Sequence, residues 1–400
     1  MWGLYWFDDS TFRTNIAEHD FEHLQKILPD WTLFDNIYTS FTAGKVKPEL
    51  GYYEDVLKDL RLPDRRSAIF VDDKVTNVSA AQACGMQGIV FDSGDALIRQ
   101  LRNRIFDQES RARHYMKTKA HDHHSQTESG KAIRDVFSQF LIHYELQDTS
   151  LISLSPAAAT SAEIITELTQ AAEEARTWNY FIGPPVDTTS TFPNDVDDTA
   201  YALLSFAPPA ESANPILDQF LANRHTRDGL IQTYFDKNRP RVCPFVLVNV
   251  LRVFYRYSRG EEVQNELNHV RNILDNCGYE NGAAQYISAE PFLYFMACLI
   301  KENPEKKEIQ ELRTSVIAGL RKRVGCPGDS FAVAARVLAC QSLDIEDESD
   351  ISYLKKLQEV DGGWEIGWVC RYGRTQRRIG SRGVVTAFAI KVLEQDKERR

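Results

Sequence analysis

From Ala132 to Leu393 the chain repeats one pattern, and that pattern leaves few folds open. Helix-length segments with apolar residues three and four apart follow one another over 132–146, 162–178, 199–206, 215–223, 244–257, 263–276, 291–301, 308–324, 330–342 and 384–393. Pro244 and Pro291 stand at first-turn positions, where a missing N–H is harmless. No comparable set of strands is expected here, so this part reads as all-α. Within it, Asp228 to Tyr234 followed by 241–255 is echoed by Gln358 to Trp364 followed by 380–393. In each copy an Asp-Gly turn and an aromatic residue precede an inward helix. Such repeats close into a toroid of paired helices around an apolar cavity.

Inside the series lies Phe192-Pro-Asn-Asp-Val-Asp-Asp-Thr-Ala200. Asp195, Asp197 and Asp198 crowd the start of an apolar helix, where like charges and burial both raise a carboxyl pKa. The expected result is an Asp that stays protonated and can give its proton to a very weak base such as a carbon-carbon double bond. The plainer reading is an acidic cap and first turn, which Asp195 also suits. The stretch resembles the signature of class II terpene cyclases. That resemblance implies that Asp197 is the acid, with Asp195 and Asp198 holding and polarising it. The second Asp-Gly turn, ending at Trp364, is similar to the Gln-Trp motif of the same cyclases and their α/α-barrel relatives, which implies an all-α (α/α) barrel.

A carbocation made by such an acid needs a dry pocket lined by π faces. Trp178, Tyr180, Phe181, Phe192, Tyr201, Tyr234, Phe245, Phe292 and Trp364 are the candidates, although aromatic residues at helical spacing are also ordinary core. Asn249 is a candidate to orient the proton. A prenyl diphosphate would need cations, and the densest basic stretch runs from Arg371 to Arg382, with Arg374, Arg377 and Arg378 between them, into the last helix. Lys237, Arg239 and Arg241 form a second candidate. A solvated charged loop is the alternative for the first.

The N-terminal part alternates differently. A strand at Ser67–Val71 ends in Asp72-Asp73-Lys74, then come Asn77, a helix over 78–84 and a strand over 88–91. Strand, helix and strand in that order argue a parallel sheet with functional residues at the carboxyl ends of its strands. Upstream, Gly44-Lys45-Val46-Lys47-Pro48 precedes a helix carrying Tyr52, Val56 and Leu60. This region resembles the third and fourth motifs of the haloacid dehalogenase (HAD) superfamily. The resemblance implies an α/β HAD-like domain in which Lys47 steadies phosphate and Asp72 and Asp73 hold magnesium. The superfamily's nucleophile motif, Asp-x-Asp-x-Thr, is not matched by Asp8-Asp9-Ser10-Thr11 after the strand expected at Leu4–Phe7. Without a nucleophilic carboxylate no phosphoaspartyl intermediate forms. A degenerate scaffold, a magnesium-diphosphate-binding partner and a truncated phosphatase all remain open.

At 400 residues two domains are expected. Residues 1–115 read as the HAD-like domain lacking its nucleophile, 116–130 as a solvated polar linker that carries His121, His123 and His124, and 131–400 as the cyclase domain. A formal charge of -10 argues against a nucleic-acid partner. The seven cysteines include no Cys-x-x-Cys pair, so reduced core thiols and a cytoplasmic location are expected. No apolar run approaches the roughly 18 residues of a membrane span, and the N-terminus lacks signal-peptide features.

A HAD-like part joined to one cyclase domain resembles the drimane-type sesquiterpene cyclases. The resemblance implies farnesyl diphosphate as substrate, with geranylgeranyl diphosphate left open, and a bicyclic drimane-type product. With no nucleophile, that product is expected to keep its diphosphate for a separate downstream phosphatase, magnesium being the cofactor. The alternatives are a bifunctional cyclase and phosphatase that releases drimenol or albicanol, and a prenyl-lipid-binding scaffold without catalysis. A homo-oligomer is left open.

Overall fold

The computed structural model describes residues 10–28, 30–155 and 160–399. The strand expected at Leu4–Phe7 and the Asp8-Asp9 pair lie outside them. The chain divides into two compact units, Met1–Arg102 and Asn103–Arg400.

The first unit holds two parallel strand pairs. Thr11–Thr14 pairs with Asn36–Thr39, and Ile69–Asp72 pairs with Gln87–Val90 across the helix Val75–Ala83. The strand-helix-strand reading of 67–91 is therefore seen with shifts of one to three residues. Phe70, Val78, Ala81 and Met86 make a small core with Tyr53 and Leu57 of the helix Leu50–Leu60. Gly88 is required by that packing, since a Cβ there would lie 2.5 Å from the Val78 side chain.

In the second unit, helices form two layers. Val136–Leu146, Val196–Phe206, Pro244–Arg256, Glu290–Glu302, Ser330–Ser342 and Arg382–Arg399 pack each against the next, and the last returns to the first, closing a ring. Two of these helices are buried on nearly all sides: every residue from Phe245 to Tyr255 and from Ser330 to Gln341 is buried. A helix apolar all round belongs inside. Outer helices such as Gln264–Asp275 and Glu348–Lys356 bury only one stripe and pack against the ring.

Short strands lead into the ring. Ala132–Ile133, Ser125–Thr127, Arg378–Gly380 and Trp368–Arg371 form one antiparallel sheet in that order, and Trp178–Asn179 pairs with Asn194–Asp195. Ala132–Ile133, Asn194–Asp195 and Arg378–Gly380 each run directly into an inner helix. The expectation of an all-helical region is corrected here, because strands of two to four residues are too short to show an alternating pattern.

The linker expected at 116–130 is also corrected. Its first residues end the helix Gln108–Thr118, which packs on Arg382–Arg399, and Ser125–Thr127 joins the sheet. His123 is only 3% exposed, bonded through Nε2 to the Met116 carbonyl, and burial lowers its pKa to about 4. Polar residues here serve buried hydrogen bonds rather than solvent. Both Asp-Gly turns close antiparallel bridges, Arg224 with Ile231 and Gln358 with Trp364.

Candidate active site

Aspartates cap several ring helices at one end. Asp135 accepts from the Ser138 N–H, Asp195 from the N–H groups of Asp197 and Asp198, and Asp329 from those of Phe331 and Ala332. Capping satisfies donors that a helix leaves free. At the Val196–Phe206 helix the cap also delivers two more carboxylates into the interior, with Asp197 7% and Asp198 1% exposed.

Asp195, Asp197 and Asp198 line a cavity of about 610 Å³, within the range of small-molecule sites. Phe137, Tyr180, Phe192, Val246, Tyr286, Tyr372 and Ile379 contribute apolar wall, and Tyr234 adds a further ring. Phe192 meets Tyr234 and Phe181 edge to face, with centroids 5.7 and 5.1 Å apart. Away from the buried acids the lining becomes half-buried or exposed, at Thr188, Thr189, Arg239, Arg241, Arg371 and Arg374.

Asp197 is held from two sides. Asn249 Nδ2 donates to its Oδ1 at 2.9 Å, and the Tyr286 hydroxyl donates to Oδ2. Each oxygen keeps a further lone pair, and one of these can carry a proton. Burial pushes the Asp197 pKa up to about 6, against the opposing pull of Tyr286, Asn249 and the Arg252 charge. Burial and the neighbouring Asp197 push Asp195 up to about 7. Asp198 is raised well above the carboxylate range by burial and by Asp195, Asp197 and Asp135, and its Oδ2 has no hydrogen-bond partner among the described residues. Three carboxyl groups crowded at one end of the cavity cannot all ionise freely, so the cluster retains protons near neutral pH. An acid of this kind above an apolar cavity can protonate an alkene.

The structure sorts the other sequence candidates. Tyr180, Phe192 and Tyr234 line the cavity, and Asn249 touches Asp197. Phe181 backs Tyr180 and Phe192; Phe245 stacks beneath Tyr286 at 5.2 Å. Phe292 stacks on Tyr279, Tyr201 packs against Phe137 and Phe295, and Trp178 against Phe140. These five lie outside the cavity wall, as does Trp364. The Trp364 ring is fully buried, its Nε1 donates to the Leu354 carbonyl, and its turn presses so closely on Arg111 that a Cβ at Gly362 would lie 2.5 Å from that carbonyl oxygen.

The basic stretch divides as well. Arg374 and Arg371 line the cavity, whereas Arg377 pairs with Asp187, Arg378 with Glu128, and Arg382 with Asp361 while lying over Tyr115. These last three are tied into the fold, because strand and helix starts there bring acids within reach. Arg239 and Arg241 reach the cavity from the other candidate segment; Lys237 is not among its lining residues. Arg241 and Arg374 have no carboxylate partner among the described residues.

Sequence reasoning missed Tyr286 and Phe137. Tyr286 sits in a loop before the Glu290–Glu302 helix, where no periodicity marks an inward side chain. Phe137 is one of many apolar residues in a helix that is buried throughout.

In the first unit Lys47 Nζ donates to Asp72 Oδ2 at 2.6 Å, and Asn77 Nδ2 and the Lys74 N–H donate to Oδ1, each at 2.9 Å. Burial raises the Asp72 pKa, but Lys47, Lys74 and Asn77 outweigh it and hold the carboxyl below its ordinary value. Asp73 beside it is exposed. The pair offers the oxygen donors that magnesium takes together with water and phosphate. Among the described residues no three His, Cys, Asp or Glu side chains cluster as a metal site, and no helix is long and apolar enough to cross a membrane.

The chain is similar to one described family and to several known proteins. A family model described as the sesquiterpene cyclase astC-like C-terminal domain matches residues 109–257. Drimenol cyclase drtB of Aspergillus calidoustus is 35% identical over 380 residues, which are 95% of this chain and 68% of that protein. Sesquiterpene phosphatase astK of Aspergillus oryzae is 42% identical over 92 residues, 23% of this chain and 46% of that protein. Flavin mononucleotide hydrolase 1 of Arabidopsis thaliana is 38% identical over 64 residues, 16% of this chain and 26% of that protein.

Proposed function

The chain belongs to the family of drimane-type sesquiterpene cyclases, and on that premise we propose that it cyclises farnesyl diphosphate by protonation, with Asp197 as the general acid. The observation that carries this reading is the placement of Asp197: buried, held by Asn249 and Tyr286, and lining an aromatic cavity whose rim bears Arg241 and Arg374, which have no carboxylate partner among the described residues.

Asp197 gives its proton to the distal alkene, and the two ring-forming bonds close as the remaining π electrons move to the cationic centre. Loss of a proton from the bicyclic cation restores a neutral skeleton, so proton gain and loss balance. The faces of Phe137, Tyr180, Phe192, Tyr234 and Tyr286 stabilise the passing positive charge by about 0.5–2 kcal/mol each. Arg239, Arg241, Arg371 and Arg374 hold the diphosphate at the rim, where guanidinium forks suit its oxygens.

In this reading the product keeps its diphosphate. Asp72 is the buried carboxylate of the first unit among the described residues, and it is already engaged by Lys47, Lys74 and Asn77, which leaves it unsuited to nucleophilic attack. Asp72 and Asp73 would hold magnesium, which supplies charge neutralisation for a phosphoryl group when bound, and a separate phosphatase would release the alcohol.

The test incubates the full chain and magnesium with farnesyl diphosphate, and in parallel with geranylgeranyl diphosphate, before and after added phosphatase. The expected result is a bicyclic alcohol seen only after phosphatase and absent with Asp197→Asn. The same alcohol without added phosphatase would show the first unit to be active. Binding without any cyclised product would replace catalysis by a prenyl-lipid scaffold.

A further inference from the structure

Behind Asn249 the polar contacts continue through the ring of helices. Asn249 Oδ1 accepts from Arg252 Nη1 at 3.1 Å. Arg252 is fully buried; its Nε and Nη2 reach the two Glu302 oxygens at 3.1 and 2.7 Å, and Nη2 also donates to the Tyr144 hydroxyl at 2.6 Å. Its guanidinium lies 5.0 Å from the Tyr144 ring centre and 5.7 Å from that of Tyr201. Glu302 ends its helix with a side chain 26% exposed, whereas Asp197 stands in the first turn of its own. Four ring helices thus contribute to one chain of contacts running from the acid to the surface.

An amide can sit in either of two orientations of nearly equal shape, and its neighbours decide between them. A guanidinium only donates, so Arg252 tolerates the Asn249 oxygen and rejects its NH2. The reverse orientation would set the Asn249 oxygen against Asp197, where it would accept the acid's proton and turn it away from the cavity. The pair itself is only part-buried, with Arg252 inside and Glu302 at the surface, so its contribution to stability is modest.

We propose that Arg252, anchored by Glu302 and Tyr144, is a positioning residue for the acid: it fixes Asn249 as a donor to Asp197 and so leaves the Asp197 proton free for the substrate. This rests on Asp197 being the acid. The groups facing Asp197 are Asp195 and Asp198 from its own segment, Arg252 and Cys243 from the Pro244–Arg256 segment, Tyr286 from the loop before Glu290, and Cys370 and Tyr201. Burial keeps the two thiols and two phenols neutral through the working range.

The experiment is the pH profile of kcat for the full chain, its Arg252→Met, Glu302→Gln, Tyr144→Phe and Asp197→Asn variants. A general acid works while protonated, so kcat falls as pH rises through its pKa. Arg252→Met removes a charge that favours the carboxylate, so the falling limb should move up by about one pH unit while the plateau drops about tenfold. Glu302→Gln unmasks the Arg252 charge, and its limb should move down. Tyr144→Phe should follow Glu302→Gln less far. A merely structural role would lower rates without moving the limbs in opposite directions. Folded variants whose limbs coincide with the parent's overturn the proposal. Should Arg252→Met fail to fold, the direction of the Glu302→Gln shift decides. Residual cyclisation by Asp197→Asn would instead overturn the acid itself.

Discussion

Asp197, the proposed acid, carries a cost to the fold. Its carboxyl pKa, pushed up to about 6 by burial, exceeds the ordinary 3.8. The folded state therefore binds more protons than the unfolded one between these values, and the stability this group contributes below about 3.8 is lost as pH rises through about 6. Asp197→Asn should abolish cyclisation yet be more stable than the parent above pH 6, by about 2 kcal/mol. Thermal melts at pH 5 and pH 8 check this: the gain should be larger at pH 8, and an equal or smaller gain there would contradict it. Tyr286→Phe removes a donor that lowers the same pKa, so its falling kcat limb should move to higher pH; a downward or absent shift would remove Tyr286 from the acid's environment. The three aspartates were legible in sequence because their spacing at a helix start is itself the chemical signal. Tyr286 was not, since a loop residue 89 positions away leaves no local trace of its target.

At the scale of elements, the hairpin of Trp368–Arg371 and Arg378–Gly380 separates two kinds of arginine. Arg374 and Arg371 line the cavity, while Arg378 spans to Glu128 and covers Trp368 at 4.6 Å. Substituting Arg241 and Arg374 by Ala together should raise KM for the diphosphate substrate by about tenfold or more, since charge-assisted bonds are worth about 1.5–3 kcal/mol. Arg378→Ala should leave KM within about twofold, as surface pairs contribute little. The reverse ranking would return the diphosphate to the outer face of the hairpin. Trp364→Phe should lower the melting temperature, through its lost Leu354 hydrogen bond and packing, without altering the product; a changed product would place it in contact with substrate. The basic stretch was visible in sequence as a density of charge. Which of its members face the cavity depended on partners at Glu128, Asp187 and Asp361, distant in the chain.

For the whole molecule, the helical ring was readable because periodicity and the repeated Asp-Gly turns report local structure. Its closure, and the polar path from Asp197 through Arg252 to Glu302, are tertiary facts that local patterns do not encode. The stretch 116–130 misled because polar residues mark solvent in most chains, whereas Ser125, Thr127 and His123 here are buried beside the ring. In the proposed reaction the first step is protonation from Asp197, which draws its proton from water between turnovers. Cyclisation of farnesyl diphosphate in deuterium oxide measures this directly by mass spectrometry of the dephosphorylated product. The product should carry one deuterium bound to carbon. A cyclised product with no deuterium on carbon would mean that the reaction starts by another route, and would contradict that first step.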